Sequence, residues 1–456
     1  MHEQRMQRVG KTRRCLRYML YAHTEPVDLC VMRVEHDRQR LFGQQGGLVM
    51  MLNRREDFPL LRDDGAPAYL DNACVTLKPD AVIQAVNDYY TMRPACGGRS
   101  VHRLGTSVSQ TMASSRRLLA RHIGARDVNE VAFMKNATHA LNQVAQGLSW
   151  NKGDVILTTD KEHNSNLVPW LELERTHGVD HRVLPSTEEN TFNLEGFEAT
   201  CAELGERLKM VSVGHVSNLD GVTAPVKEIA RIAHDHGALV CVDGAQSAPH
   251  LPINIDDLGA DFFACSIHKM MGPSGMGALW GRMDLLETMH PVLTGGHTVA
   301  TSTYEGVQWA APPARFEAGL GHYAGIVGTE AALTYLSELN LDDVHEHEIK
   351  INRIMSEGIR DLEGVTIIGP EDASRRGGIC SILLDEHLPS HDLAILLDEA
   401  AGVMVRSGRH CVHSWFEDRD VSGDSLRASA YFYTSEEDAR RFVDVFSEAV
   451  NAFNAA

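Results

Sequence analysis

Short apolar runs alternate with helical patterns between residues 130 and 281, and this alternation limits the possible folds more than any other feature. The runs, each typical of a buried strand, lie at 130–134, 154–158, 210–213, 238–243, 260–265 and 277–280. Between them, helical patterns cover 137–147, begin near Asn166, and cover 226–237. This order predicts a mainly parallel sheet wrapped by helices, with ligands at the carboxyl ends of the strands.

A different pattern begins after Gly319. Here two long helical patterns are followed by short strands and helices in mixed order, which predicts a smaller α+β domain. The predicted elements are helices at 324–339, 343–362, 390–400 and 435–449 and strands at 365–368, 379–384, 403–405 and 426–433. We therefore expect a large domain over 58–322 and a small domain over 323–456. The start of the large domain is also a candidate to pack on the small one.

Residues 1–57 differ from the rest of the chain. They are rich in arginine, contain few acids and show no sustained period. Such a basic extension is typical of a disordered arm, a tail that binds a partner, or a targeting segment. An equally open alternative is that the native protein starts at Met50 or Met51, and that the residues before it are not native.

Charge and cysteine content narrow the possible functions. The formal net charge of −19 disfavours binding to nucleic acid. Nine cysteines without regular spacing do not make a disulfide framework, which favours a reducing cytoplasm. No apolar run approaches the roughly 20 residues of a membrane span. We therefore expect a cytoplasmic protein without a membrane partner.

Two neighbouring strand ends carry a carboxylate and an amine. Asp243 ends the run 240–243, and Lys269 follows the run 262–265 just before a turn rich in Gly and Pro. A partly desolvated lysine is a usable amine nucleophile and suits a Schiff base with a carbonyl cofactor. Pyridoxal phosphate (PLP) needs an acid at its pyridine nitrogen and a lysine at its aldehyde. A lysine at a strand end is, however, more often a solvated charge.

Three segments together carry a family resemblance: 240–247 around Asp243, 266–269 before Lys269, and Arg406-Ser407-Gly408-Arg409-His410-Cys411. With them the chain resembles the class V aminotransferase group of fold-type I PLP enzymes, and more narrowly the Suf-type cysteine desulfurases. The resemblance covers nearly all of the chain after the basic extension. It implies an α/β fold with a seven-stranded sheet, a smaller α+β domain, and PLP as cofactor.

The resemblance also implies which residues hold the cofactor. They are Ala137, Thr138, Ser266 and His268 for the phosphate, His163 for ring stacking and proton transfer, Asp243 and Gln246 for the pyridine nitrogen and phenolic oxygen, Asn218 for cofactor or substrate, and Lys269 for the aldehyde. The turn at 136–139 also precedes a helix, whose free N–H groups form an anion site. Simpler interpretations remain open: a plain helix cap at this turn, a structural histidine at 163, and an Asx turn at Asn218.

Cys411 is the predicted nucleophile, because the matching motif places a cysteine there and nearby Arg and His favour a reactive thiolate. Arg427 resembles the arginine that binds the substrate carboxylate, and Arg406 would assist it. Surface ion pairs are the alternative for both arginines. A metal site at 410–413 is disfavoured, because no second ligand pair has a zinc spacing.

Several other cysteines fall into two groups. Cys241, Cys265 and Cys380 lie in apolar strands and are predicted to be core residues. Cys74 and Cys96 lie on loops on the expected active-site side, where a passive role is harder to assume.

Two positions depart from the family pattern. Arg409 stands where the family has a histidine, which bears on thiolate reactivity and on loop contacts. Leu320 stands where the family usually has a threonine that contacts the phosphate across a dimer, so that contact should be missing.

The resemblance thus implies a cysteine desulfurase that converts L-cysteine to L-alanine and leaves a persulfide on Cys411. The resemblance further implies a homodimer and a sulfur acceptor or scaffold protein for iron–sulfur assembly. Alternatives on the same scaffold are a selenocysteine lyase that uses L-selenocysteine, a cysteine sulfinate desulfinase, and another class V aminotransferase. A PLP-binding or sulfur-relay protein with little turnover of its own is the alternative from a different class.

Overall fold

A seven-stranded sheet lies at the centre of the computed structural model, which describes residues 54–421 and 423–455. Its strands are β2 (Val131–Met134), β3 (Val155–Thr159), β4 (Asp180–Leu184), β5 (Leu208–Gly214), β6 (Leu239–Asp243), β7 (Phe262–Ser266) and β8 (Gly277–Gly281). Their order is β2-β8-β7-β6-β5-β3-β4, and β8 runs in the opposite direction to the other six strands. The predicted α/β class with a mainly parallel seven-stranded sheet is therefore confirmed.

Helices precede, connect and follow the strands of this sheet. They are α1 (Asp80–Met92), α2 (Arg103–His122), α3 (Ala137–Gly147), α4 (Asn164–His177), α5 (Leu194–Leu204), α6 (Val226–Asp235), α7 (Ile255–Leu258) and α8 (Met283–Thr288). Helix α2 begins at Arg103, because His102 caps it by accepting a hydrogen bond from the Gly105 N–H at 3.3 Å. An exposed hairpin follows α8, formed by β9 (Val299–Ser302) and β10 (Val307–Trp309).

A second sheet has four antiparallel strands in the order β11-β12-β15-β14. Its strands are β11 (Val365–Ile367), β12 (Ile379–Leu384), β14 (Arg406–Gly408) and β15 (Ser425–Ser429). The accompanying helices are α9 (Tyr323–Leu336), α10 (Leu341–Ile359), α11 (Ser390–Ala401), α12 (His413–Asp418) and α13 (Glu436–Asn454). Helix α13 begins with a capping box between Ser435 and Asp438.

The start of the described chain lies against this second sheet. Strand β1 (Ala68–Tyr69) pairs in parallel with β13 (Val403–Met404). Phe58 is fully buried, and its ring centroid lies 4.5 Å from that of Tyr433. The residues around Tyr433 therefore pack as an aromatic cluster, and β15 ends at Ser429 instead of continuing to 433 as predicted.

The predictions for the basic extension and for the domain boundary stay predictions. The extension before residue 54 lies outside the described residues, whereas Arg55, within the predicted extension, forms an ion pair with Asp438 at 2.7 Å. The division into domains at 322/323 stays a prediction. Within the described residues, no helix is both long and apolar enough to cross a membrane.

Candidate active site

A cavity of about 220 Å³ lies at the carboxyl ends of β5, β6 and β7, with the loop after β14 on its other side. All twelve residues predicted for the site line it: Ala137, Thr138, His163, Asn218, Asp243, Gln246, Ser266, His268, Lys269, Arg406, Cys411 and Arg427. They come from both sheets and are separated by up to 290 positions in the chain (427 − 137). The structure thus brings together the whole predicted set.

Lys269 and Asp243 lie at adjacent strand ends. β6 and β7 pair in parallel with Asp243 opposite Ala264, and Lys269 ends the short turn that follows β7. Burial lowers the pKa of Lys269, and the charge of Asp243 offsets part of that effect. Burial likewise raises the pKa of Asp243, against a 2.9 Å hydrogen bond from the Ala245 N–H and the charge of Lys269. The amine is therefore easier to deprotonate than a solvated lysine.

The amino end of α3 forms one wall of the cavity. Gly277 on β8 permits the close approach of this turn, since a Cβ there would lie 2.5 Å from the Asn136 Cα. The Ala137 N–H donates to Ser266 Oγ at 2.9 Å, and the His139 N–H donates to Asn136 Oδ1 at 2.9 Å. The prediction of several free N–H groups is therefore corrected. Among the first three amides of α3, only that of Thr138 lacks a partner within the described residues.

Hydroxyl groups supplement this helix end. Thr138 Oγ1 lies 2.6 Å from Oγ of Ser165, a residue in the first turn of α4 that also lines the cavity. The amino ends of two helices therefore meet at this hydroxyl pair. Both helix dipoles favour an anion at this end of the cavity.

His163 is the N-cap residue of α4. Its Nδ1 accepts a hydrogen bond from the Ser165 N–H at 3.0 Å, so the proton of the neutral ring lies on Nε2. Burial, with the nearby charges of Lys269 and Arg427, lowers the pKa of His163 to about 3. The imidazole is therefore neutral at pH 7, which suits a ring that stacks on an aromatic cofactor.

The loop that carries Cys411 has an unusual backbone. His410 and Cys411 both adopt left-handed conformations, with φ of 48° and 60°. Such conformations cost about 1–3 kcal/mol each for residues other than glycine, and persist only where the surroundings hold them. Two asparagines do so here: Asn218 Nδ2 donates to the His410 carbonyl and the Asn164 N–H donates to the Cys411 carbonyl, both at 2.7 Å.

His410 is buried beside the nucleophile but does not supply a charge. Its Nε2 lies 2.9 Å from Ser425 Oγ, and burial together with Arg427 and Arg406 strongly lowers its pKa. The positive charge near this loop therefore comes from Arg406 and Arg427. This differs from the sequence-based expectation that both Arg and His favour the thiolate.

Arg427 is buried on β15 with incomplete partners. Its Nη1 donates to the Asn218 carbonyl at 2.8 Å and its Nη2 lies 3.5 Å from Asp71 Oδ1. Its Nε has no hydrogen-bond partner among the described residues, although the side chain is only 3% exposed. A buried guanidinium with an unused donor fits a carboxylate ligand.

Three functional residues were missed by the sequence analysis. Asp71 pairs with Arg427, and Asn164 holds the Cys411 carbonyl. Glu162 is fully buried in the cavity wall and accepts hydrogen bonds from the Gly214 N–H at 2.9 Å and Asn166 Nδ2 at 2.6 Å. Asn164 and Glu162 flank the predicted His163, but Cys411 and Gly214, which they contact, are distant in the chain and leave no local signal.

The two departures from the family pattern lie outside the cavity lining. Arg409 forms ion pairs with Glu417 and with Asp424, the latter at 3.6 Å, and its guanidinium lies 5.9 Å from the Phe416 ring centroid. It therefore fastens the Cys411 loop to α12. Leu320 is 73% exposed, so its side chain is not packed into the hydrophobic core of this chain.

The buried Glu162 predicts a pH dependence of stability. Burial raises its pKa to about 7, from 4.5 in an exposed chain. Between these values the folded state binds a proton that the unfolded state does not, so the free energy of unfolding should fall as pH rises from about 4.5 to about 7. Glu162→Gln should flatten this dependence, as measured by denaturant unfolding at pH 5 and 7.5. Glu174→Gln, at an exposed site on α4, is the control and should leave this dependence unchanged. Equal slopes in wild type and Glu162→Gln would contradict this account.

The polar atoms of the cavity fit the cofactor that the sequence analysis expects. Gln246 Oε1 and Arg427 Nε are buried without a partner among the described residues. The set also contains an amine, a carboxylate, a neutral imidazole and an amide at a helix amino end. This donor set matches an aldehyde, a pyridine nitrogen, an aromatic ring and a phosphate.

Comparison with known proteins agrees with this geometry. The family model described as aminotransferase class-V matches residues 68–442. The chain belongs to the class V aminotransferase family. Because this family is PLP-dependent, the predicted cofactor is confirmed. Within the family, the relatives and structural neighbours bear out the predicted resemblance to cysteine desulfurases.

Individual relatives of this class V chain are similar over most of their length. A probable cysteine desulfurase of Halalkalibacterium halodurans is 39% identical over 387 residues, which is 84% of this chain and 93% of the relative. A cysteine desulfurase of Haloferax volcanii is 35% identical over 418 residues, which is 88% of this chain and 96% of the relative.

Two solved structures are similar as well. The apo cysteine desulfurase of Thermococcus onnurineus NA1 has a TM-score of 0.82 at 35% identity and covers 88% of this chain and 98% of its own. The Escherichia coli cysteine desulfurase CsdA, in an S-sulfonic acid form, has a TM-score of 0.81 at 28% identity with the same coverage.

Proposed function

We propose that this class V enzyme is a cysteine desulfurase that converts L-cysteine to L-alanine and collects the sulfur as a persulfide on Cys411. One observation carries the proposal: Cys411 and Lys269 line the same cavity as the buried Arg427. An amine for a carbonyl cofactor, a thiol for sulfur and a guanidinium for a carboxylate are the three groups that this reaction needs.

Bound PLP would supply an electron sink for the bonds of the substrate's Cα. The residues that would hold it are Lys269 at the aldehyde, Asp243 at the pyridine nitrogen, Gln246 at the phenolic oxygen, His163 on the ring, Asn218 beside it, and Ala137, Thr138, Ser266 and His268 at the phosphate. Because Ser266 Oγ already accepts the Ala137 N–H, its hydroxyl hydrogen remains available to donate to a phosphate oxygen.

Substrate orientation would come from the arginines. Arg427 has an unused Nε donor, and Arg406 lines the same cavity from β14. Binding the carboxylate there fixes the Cα near Lys269, whose amine would move the Cα proton. Burial lowers the pKa of Lys269, which favours the neutral amine that a base requires.

Cys411 would then attack the sulfur of the substrate as a thiolate. A sulfur–sulfur bond forms as the carbon–sulfur bond breaks, and L-alanine leaves after protonation. The hydrogen bonds from Asn164 and Asn218 to the loop carbonyls hold this thiol over the cavity. They leave its side chain free, because both bonds are made to main-chain oxygens.

The wider setting follows as part of the same proposal. A sulfur acceptor or iron–sulfur scaffold protein would take the persulfide sulfur, in a reducing cytoplasm that matches seven free cysteines among the described residues. A homodimer is supported by exposed apolar side chains near the β9–β10 hairpin, including the fully exposed Tyr304 and the 73% exposed Leu320.

The test is product stoichiometry. Purified protein supplied with PLP, L-cysteine and a thiol reductant should release L-alanine and sulfide in equal amounts. Conversion of a keto acid by transamination without sulfide release would instead favour another class V aminotransferase. Binding of PLP with no turnover of cysteine, selenocysteine or cysteine sulfinate would favour a relay protein.

A further inference from the structure

A second thiol lies at the cavity that holds Cys411. Cys74 follows β1, is partly buried, and lines this cavity together with Lys269. The sequence left Cys74 and Cys96 equally open, but the structure separates them. Cys96 does not line this cavity, and its Sγ lies 3.4 Å from Tyr323 Oη.

Arg406 lies beside Cys74 and only five residues before Cys411 in the chain. Its Nη1 lies 3.5 Å from Cys74 Sγ, and its strand, β14, leads directly into the loop that carries Cys411. A guanidinium beside a sulfur atom stabilises an anionic sulfur species. Cys74 therefore has a positively charged neighbour that favours a sulfur nucleophile. This neighbour, Arg406, belongs to the segment that also carries Cys411.

A second cationic group lies in the cavity near Cys74, close enough for the two charges to interact. The Arg427 side chain lines the same cavity, is 3% exposed, and has an Nε without a partner among the described residues. Asp71, three residues before Cys74, supplies only one partner to it, at 3.5 Å. The cavity wall around Cys74 is thus built to receive negative charge.

We propose that Cys74 is a second sulfur-carrying residue that takes the outer sulfur atom from the Cys411 persulfide. This inference rests on the proposed function. The Cys74 sulfur attacks the outer sulfur of Cys411, a new sulfur–sulfur bond forms on Cys74, and the bond to Cys411 breaks. The proton of the Cys74 thiol passes to the departing Cys411 thiolate. No oxidant or reductant is needed, because one persulfide replaces another.

This exchange would separate sulfur capture from sulfur storage. Cys411 becomes free to attack a second substrate while the first sulfur atom stays in the protein. In the absence of an acceptor, each chain would then hold two sulfur atoms.

The burst of L-alanine in the absence of reductant and acceptor tests this capacity. PLP-loaded wild-type protein mixed with L-cysteine should form about two equivalents of L-alanine per chain before slowing, and Cys74→Ala about one. Cys96→Ala, the matched control at the other loop cysteine, should match wild type. A burst that is the same size in Cys74→Ala and wild type would overturn the proposal, including the case in which Cys411 alone accumulates a longer sulfur chain.

Peptide mapping of the same samples locates the sulfur. After alkylation, sulfur-bearing peptides should contain Cys411 first and Cys74 later, and Cys411→Ala should carry none on Cys74. Sulfur on Cys74 in Cys411→Ala would overturn the relay. If Cys411 carries sulfur with matching L-alanine and Cys74 never does, this inference fails while the proposed function stands. If no L-alanine forms, the proposed function itself fails. Cys74→Ser, with its thermal unfolding measured, replaces Cys74→Ala if that variant does not fold.

Discussion

Replacing Lys269 by alanine should reduce the conversion of L-cysteine by about 10⁴-fold or more, since the variant loses both the covalent amine and the base. The mutant should still fold, because the lost ammonium is buried and its desolvation opposes its charged state. L-alanine formation measures the activity, and borohydride reduction of PLP-treated protein followed by peptide mapping measures covalent attachment.

Two other lysines provide controls for this prediction. Burial lowers the pKa of Lys78 to about 8, but its Nζ donates to the His268 carbonyl at 2.9 Å and it does not line the cavity. Lys161 lines the cavity but is paired with Asp220 at 2.7 Å. Reduction should therefore fix the cofactor to Lys269 alone. Attachment at Lys78 or Lys161 in wild-type protein would contradict the account.

Replacing Cys411 by alanine should reduce desulfuration of L-cysteine by about 10³-fold, because the sulfur then has no thiolate to receive it. The cofactor should bind as in wild type, since Cys411 contributes only its main-chain carbonyl to the loop's hydrogen bonds. L-alanine formation and the absorbance of bound PLP measure the two effects separately.

The same variant separates the alternative substrates. Retained activity of Cys411→Ala on L-selenocysteine or cysteine sulfinate, with activity on L-cysteine lost, would favour a selenocysteine lyase or a sulfinate desulfinase. Cys96→Ala should behave as wild type on L-cysteine. Undiminished desulfuration by Cys411→Ala would remove the thiol from the mechanism.

The central strands could be predicted because they are buried on both faces. Strands such as β6 and β7 read as continuous apolar runs, with every residue of β7 buried. β4 was missed for the opposite reason. It is an edge strand with exposed Arg182 and Val183, so it has no apolar run. Helix α5, which follows β4, was missed with it.

The site could be predicted only as far as its motifs reach. Lys269, Asp243 and Cys411 stand in segments that resemble a family, and the cavity contains all of them. Contacts that depend on the fold left no signal in the sequence. Asp71 meets Arg427 across more than 350 positions, and Ser266 occupies an amide of α3 that the helix pattern alone indicated as free.

The contacts of Cys74 also depend on the fold and could not be predicted from the sequence. Its loop position gave no reason to prefer it over Cys96, because both lie outside the predicted strands and helices. The difference lies in the neighbours: Arg406 for Cys74, and the Tyr323 hydroxyl for Cys96. Only the packing of β14 beside the loop after β1 distinguishes the two thiols.

In this mechanism one cavity joins a cofactor-bearing amine, Lys269, to a sulfur-collecting thiol, Cys411. The most direct measurement is mass-spectrometric peptide mapping of one PLP-loaded sample, treated with L-cysteine and then with an alkylating agent, with a second portion reduced by borohydride before substrate is added. We expect the cofactor on Lys269 and substrate sulfur on Cys411. Protein that stays colourless with PLP, or L-alanine formed with no sulfur on Cys411, would contradict it.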